Sequence, residues 1–213
     1  MWRLVSLALA LSVPATPRGG DPPAVAVRVT ADGKPAAGAK VWASEYTADA
    51  ADAAEPEPLT AAADGTVRAP RPKDADRRSW GLFARDAAGR IGWVWFPGRL
   101  SVDPAEPEVP LALVATAPRA GRVTAGGKPV AGATVAPTFY SMEASDRRTP
   151  GGPAPQIPVP AWERKRLTVR TDADGRFELV APAAGYGLSY LVTADGFGES
   201  RWSASAGLDL DTQ

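Results

Sequence analysis

Two stretches of the chain carry the same order of apolar and polar positions. Residues 27–41 read VRVTADGKPAAGAKV, and residues 121–135 read GRVTAGGKPVAGATV. From Arg28 to Val41, 11 of 14 positions match their counterparts 94 residues further on. The first stretch and its flanks alternate with period two: Val25, Val27 and Val29, then Ala39, Val41 and Ala43. That period marks a half-buried strand. Between the runs, Asp32-Gly33 and Gly126-Gly127 supply the positive φ that a two-residue hairpin turn requires. Pro35 and Pro129 follow, where a central ladder would not tolerate them.

The correspondence continues along the chain. Asp64-Gly65 and Asp174-Gly175 predict a second hairpin in each copy. Trp80, Leu82 and Ala84 predict a strand, as do Tyr186, Leu188, Tyr190 and Val192. Leu111-Ala112-Leu113 answers Leu208-Asp209-Leu210. A repeat of about 95 residues is a complete small domain, longer than the roughly 20–50 residues of a solenoid unit. The pattern predicts an all-β chain of two tandem Ig-like antiparallel β-sandwiches, residues 24–116 and 117–213. The boundary is expected near Thr116–Arg119, where Pro118 interrupts the strand run. No helical stripe is visible, although Ala48 to Ala54 allows one turn.

The N-terminus has a different pattern. A short basic start, Met1-Trp2-Arg3, precedes 10 mostly apolar residues, Leu4 to Val13, and Val13-Pro14-Ala15 then offers small residues for cleavage. A membrane span needs about 20 apolar residues. The run therefore reads as a secretory signal over 1–15, or as far as about 23, with a buried N-terminal strand as the alternative. An exported protein follows: periplasmic, cell-envelope or secreted, with no integral span after cleavage.

Composition narrows the chemistry. The chain of 213 residues holds 24 Lys and Arg against 24 Asp and Glu, and it contains no His, no Cys and no Asn. Lack of His and Cys removes imidazole-based catalysis, thiol nucleophiles, disulfides and the usual zinc ligands. Zero net charge argues against a nucleic-acid partner, because phosphates favour a clustered basic surface. Abundant Ala, Pro, Gly and Arg suit a high-GC bacterial genome.

Copy two carries Gly127-Lys128-Pro129, Ala131-Gly132-Ala133, Val135, Thr171-Asp172-Ala173-Asp174-Gly175-Arg176-Phe177, Tyr186, Leu188 and Ala194-Asp195-Gly196-Phe197. This pattern resembles the carboxypeptidase regulatory-like domain, a transthyretin-like, carbohydrate-binding-like β-sandwich. Tyr190 replaces a Val of the pattern, and copy one is more divergent, with Ala61 and Ala62 in place of Thr and Asp. The resemblance spans roughly 24–213 and implies a module without catalytic residues or cofactors.

Several motifs could carry chemistry, and each has a plainer reading. Asp172-Ala173-Asp174-Gly175 has the look of a calcium loop. Ca²⁺ needs about six to eight oxygens, and Arg176 and Phe177 stand where further ligands belong, so a self-capped turn is expected. Asp49, Asp52, Glu55 and Glu57 could pair as glycosidase carboxylates, but they lie in an Ala/Pro-rich stretch and read as a solvated loop. A Lys–Asp isopeptide bond, for example from Lys40, is conceivable, whereas the usual Lys–Asn bond has no Asn.

Aromatic residues are the main candidates for binding. Trp93 and Trp95 share one strand face, with Val94 and Phe96 on the other. Trp42 is out of phase with Ala39, Val41 and Ala43, so it points away from their core, either to solvent or into a contact between the copies. Tyr140 and Trp162 lie in a Pro-rich insertion, 137–166, expected to be extended and irregular. These five residues (Trp42, Trp93, Trp95, Tyr140 and Trp162) are the candidate ligand-binding residues, for a glycan or a protein, with core packing as the alternative. The expected function is non-catalytic: an exported bacterial module for structural spacing or protein interaction in the cell envelope. A carbohydrate-binding module using exposed Trp is the alternative, and accessory domains cut from a larger secreted enzyme or receptor come third.

Overall fold

A computed structural model describes residues 24–45, 54–72, 79–96, 108–142, 156–183, 186–204 and 208–212. The expected signal segment, Asp49, Asp52 and most of the helix-permissive stretch lie outside them.

The chain folds as two β-sandwiches in tandem, built on the same plan. In the first, one sheet holds β1 (Ala24–Ala31), β2 (Lys34–Pro35), β5 (Thr66–Pro70) and β8 (Val109–Leu113). The other holds β3 (Lys40–Glu45), β4 (Leu59–Thr60), β6 (Trp80–Arg85) and β7 (Ile91–Phe96). In the second, β9 (Thr116–Ala125), β10 (Lys128–Pro129), β14 (Arg176–Pro182) and β17 (Leu208–Thr212) face β11 (Thr134–Met142), β12 (Gln156–Pro158), β13 (Val169–Arg170), β15 (Tyr186–Thr193) and β16 (Ser200–Ala204).

The alternating residues decide which face each strand buries. Val25, Val27 and Val29 turn inward from β1 and meet Val41, Trp80, Leu82 and Leu111, all buried. Val123, Val135, Phe177, Leu179, Leu188, Tyr190 and Val192 do the same in the second repeat. Burying these side chains is worth about 1.5–3 kcal/mol each for the aliphatic ones. Pairing is antiparallel except for the closing strands. Val109–Leu113 lies parallel to β1, and Leu208–Thr212 lies parallel to β9, so one sheet of each sandwich is mixed.

The turns follow the glycines. Asp32 and Gly33 both adopt positive φ, 52° and 73°, and close the β1–β2 hairpin. Gly126 and Gly127 repeat it at 55° and 73°. The turns at Asp64-Gly65 and Asp174-Gly175 are not hairpins: β4 pairs with β3 whereas β5 pairs with β1, so the turn carries the chain from one sheet to the other. Gly65 approaches the β1 backbone so closely that a Cβ would lie 2.5 Å from the Val29 carbonyl oxygen.

Two further expectations need correction. Pro118 does not interrupt the strand run: β9 continues through it, paired with Val180. On the other flank β17 joins only from Gly121 onward, so Pro118 sits where β9 has one partner strand and a missing N–H is tolerated. The 137–166 insertion is not irregular throughout. Its start extends β11, with Pro137 beside a register shift, a place where the sheet accepts proline. Its end forms β12 and a helix, α1 (Ala161–Leu167). The helix starts after Pro160, with Glu163 in its first turn and Arg164, Lys165 and Arg166 in its last. That charge order favours the helix dipole, and it offers the sequence cue that the Pro-rich reading passed over.

Candidate functional site

The candidate aromatic residues come together where the two sandwiches meet. On β3, Val41 points into the first core, so Trp42 must point the other way. It is only 4% exposed, because the second repeat covers it. Phe83, opposite Trp42 across the β3–β6 ladder, shares that outer face. Trp162 of α1 lies against both, with its ring centre 4.9 Å from Trp42 and 5.5 Å from Phe83, edge-on to the latter. Trp93 from β7 stacks on Tyr140 from β11 at 4.5 Å, with planes 20° apart. These are favourable aromatic geometries.

A buried ion pair crosses the same seam. Glu163 is completely buried, and its carboxylate accepts hydrogen bonds from Arg85 of the first repeat and from Arg166 on its own helix at 3.1 Å. The Arg85 guanidinium also lies 5.5 Å from the Phe83 ring centre. Two cations on one carboxylate meet the usual condition for burying a charge.

The polar tips of the seam aromatics are less well served. Trp42 Nε1, Trp162 Nε1 and the Tyr140 hydroxyl are buried without a hydrogen-bond partner among the described residues, as is the Tyr190 hydroxyl. Burial, with the Glu163 carboxylate adding to it, pushes the Tyr140 phenol far above its usual range. Burial likewise pushes Tyr190 up to about 12. Among the described residues the seam thus rests chiefly on ring area and on the Arg85–Glu163 pair.

Trp95 lies on the same side of β7 as Trp93 and packs over Gly81, where an added Cβ would lie 3.3 Å from its indole ring. Val94 and Phe96 occupy the other side and pack on the first core, Phe96 stacked on Trp80 at 4.2 Å. Both Trp93 and Trp95 are half-buried. Of the five candidates, Trp42, Trp93, Tyr140 and Trp162 thus have ring contacts with partners across the seam. What sequence reasoning missed is Arg85 and Glu163: neither stands in a motif, and their meeting depends on how the repeats dock.

The motifs proposed for chemistry settle into structural tasks. Asp172 Oδ1 accepts from the backbone N–H groups of Asp174 and Arg176, at 2.9 and 2.8 Å, and caps its own turn. Asp64 does the same for Thr66 through backbone and hydroxyl, and these bonds hold its carboxyl below the usual aspartate range. Glu55 and Glu57 are exposed. Lys40 Nζ donates to the Thr60 hydroxyl at 2.8 Å on the surface. Among the described residues, no group of three or more Asp and Glu converges where it could hold a metal ion, and no helix is long and apolar enough to cross a membrane.

No family model matches the chain, and no curated protein matches it. Solved structures give distant likenesses. Shaft pilin SpaA from Lactobacillus rhamnosus GG is 14% identical, with 88% of this chain and 96% of that one covered and a TM-score of 0.28. A streptococcal ancillary pilin is 11% identical over 88% of this chain and 61% of that one, with a TM-score of 0.31. The pilus backbone protein RrgB from Streptococcus pneumoniae is 12% identical over 87% and 58%, with a TM-score of 0.25. The chain thus resembles all-β pilus proteins of bacteria, at a distance that carries no argument about what it does.

Proposed function

We propose that the chain is a non-catalytic, exported β-sandwich module that acts as a rigid spacer or interaction element in the bacterial cell envelope. The observation that carries this reading is the seam. Two flexibly joined domains would leave Trp42 and Trp162 in water. Here they pack against each other, tilted by 37°, and the Arg85–Glu163 pair fixes the relative placement of the repeats. Only Val114 and Ala115 separate β8 from β9, a connection too short for free swinging. A spacer must transmit distance and direction, and a short linker with an aromatic lock does both. The apolar N-terminal run supports export, and the resemblance of both repeats to carboxypeptidase regulatory-like domains supports an accessory rather than a catalytic part.

Expression in a bacterial host tests export: mass spectrometry of the periplasmic fraction should find a chain shortened by about 15–23 residues. Small-angle scattering tests rigidity. The intact protein should scatter as one elongated body of fixed dimensions, and Trp162→Ala should broaden its distance distribution. An unprocessed cytoplasmic product, or scattering from two freely moving domains, would refute the reading.

A further inference from the structure

The two repeats act as a control on each other, and one of their differences lies at the end of the sandwich that carries the β1–β2 and β9–β10 hairpins. In the first, the hairpin turn at Asp32 is tied to the turn after β6: Arg90 donates to Asp32 at 2.7 Å and to Asp86 at 2.6 Å. The Asp86 contact holds the guanidinium above its usual pKa range, so it stays charged. Strand β7 then begins at once. Ile91 exchanges backbone hydrogen bonds with Val114, and Gly92 lies so close to β8 that a Cβ would be 2.4 Å from the Ala112 carbonyl oxygen. That end of the first sandwich is shut.

The described residues of the second repeat differ at the matching positions. Gly126 replaces Asp32, the turn after β15 projects Phe197 in place of Arg90, and β16 resumes only at Ser200. A groove of about 330 Å³ opens there, lined by Val123, Val130 and Val192 of the core and by Gly126 and Phe197 at its edge. Phe197 is 56% exposed. A shallower hollow of about 470 Å³ adjoins it, with Lys128, Arg170 and Asp195 on its rim.

We propose that this groove is a self-association site, in which two copies of the chain dock about a two-fold axis and each inserts Phe197 into the other's groove. The surface is self-complementary in shape, since one molecule carries both an exposed aromatic side chain and, beside it, a cavity of a size to take it. It is self-complementary in charge, since the rim holds two cations and one anion, so Asp195 of one copy can meet Lys128 or Arg170 of the other. These three charges are exposed and have no ion pair among the described residues. A formal net charge of zero leaves no long-range repulsion between copies. A two-fold contact repeats every interaction and closes the assembly at two.

Sedimentation velocity on the purified protein across a concentration series tests the proposal. The expected result is a mass that rises from monomer to dimer and stops there. Phe197→Asp should weaken the dimer by roughly 100-fold or more, because each dimer buries two copies of the ring. A second variant installs the latch of the first repeat, Gly126→Asp with Phe197→Arg. Gly126 has φ +55° and no atom within 4 Å of an added Cβ, and Asp32 already holds φ 52°, so the fold should accept it. That variant should remain folded and monomeric. A wild type that stays monomeric, a dimer indifferent to both variants, or a Phe197-dependent complex with another protein in place of the dimer would overturn the proposal.

Discussion

Arg85 of the first repeat and Glu163 of the second form an ion pair in which the glutamate is completely buried and the arginine is 17% exposed. Neither belongs to the core of its own sandwich in the manner of an alternating strand residue. The pair exists because the outer face of β6 and the helix α1 are pressed together, and it gives that contact a register that aromatic packing alone would leave loose.

Removing one partner should cost more than removing both. Glu163→Leu alone strands Arg85 and Arg166 at the seam, and Arg85→Met alone removes one of the two cations on a buried carboxylate. Each single change should destabilise by about 3 kcal/mol, whereas Arg85→Met with Glu163→Leu should recover much of the loss. Urea unfolding of the three variants measures it, and a double-variant loss equal to the sum of the two single losses would show that the pair does not act as a unit.

Tyr140→Phe should leave stability unchanged or raise it by about 1 kcal/mol, since it deletes a buried hydroxyl without a partner and keeps the ring on Trp93. Tyr140→Ala should cost about 3–5 kcal/mol by opening a cavity. Thermal unfolding separates the two.

Alkaline pH should loosen the seam through the same residue. The folded state holds the Tyr140 pKa above the unfolded value of 10.0. The neutral form is therefore favoured by folding, and its full contribution is present below pH 10.0. As the pH rises beyond that value, the unfolded chain ionises and the folded one does not, and stability falls. Tyr190, with its pKa near 12, adds to the decline. Unfolding followed from pH 9 upward should fall less steeply for Tyr140→Phe than for the native chain.

At the opposite end of the scale, the Asp64 cap should matter only when ionised. Its pKa is lowered by Thr66, so the cap stabilises above the unfolded value of 3.8 and fades as the pH drops through the folded one. Asp64→Ala should therefore be less stable than the native chain at neutral pH and match it in strong acid.

Gly65→Ala and Gly175→Ala should each destabilise by more than about 1 kcal/mol. Both positions have positive φ, and an added Cβ would lie 2.5 or 2.4 Å from the carbonyl oxygen of Val29 or Val123. Gly132→Ala, with positive φ but open space around it, is the control for backbone strain alone, and its loss should be smaller.

The strands were legible because period-two alternation and glycine turns are local properties. Val25, Val27 and Val29 announce a buried face whatever lies opposite. What the Asp64-Gly65 turn connects was not legible. A tight turn reads the same whether it joins neighbours in one sheet or passes between two, and only the pairing of β4 with β3 and of β5 with β1 decides. Helix α1 was hidden by the prolines that precede it and by its length of 7 residues, since so short a helix owes its stability to packing rather than to propensity.

The aromatic candidates show the same division. The phase of Trp42 against Ala39, Val41 and Ala43 fixes, from sequence alone, that it leaves the first core. Whether it then meets water, a ligand or another domain is a question of what covers that face. By itself the sequence determined a duplicated strand order, the turns and the inward residues of each sandwich, because each depends on neighbours a few positions away. The tertiary structure alone decided that Trp42, Trp93, Tyr140 and Trp162 meet, that Arg85 finds Glu163, and that one repeat is latched where the other is open. Those contacts join residues 47 to 120 positions apart, and their energy exists only once two separately patterned surfaces are brought face to face.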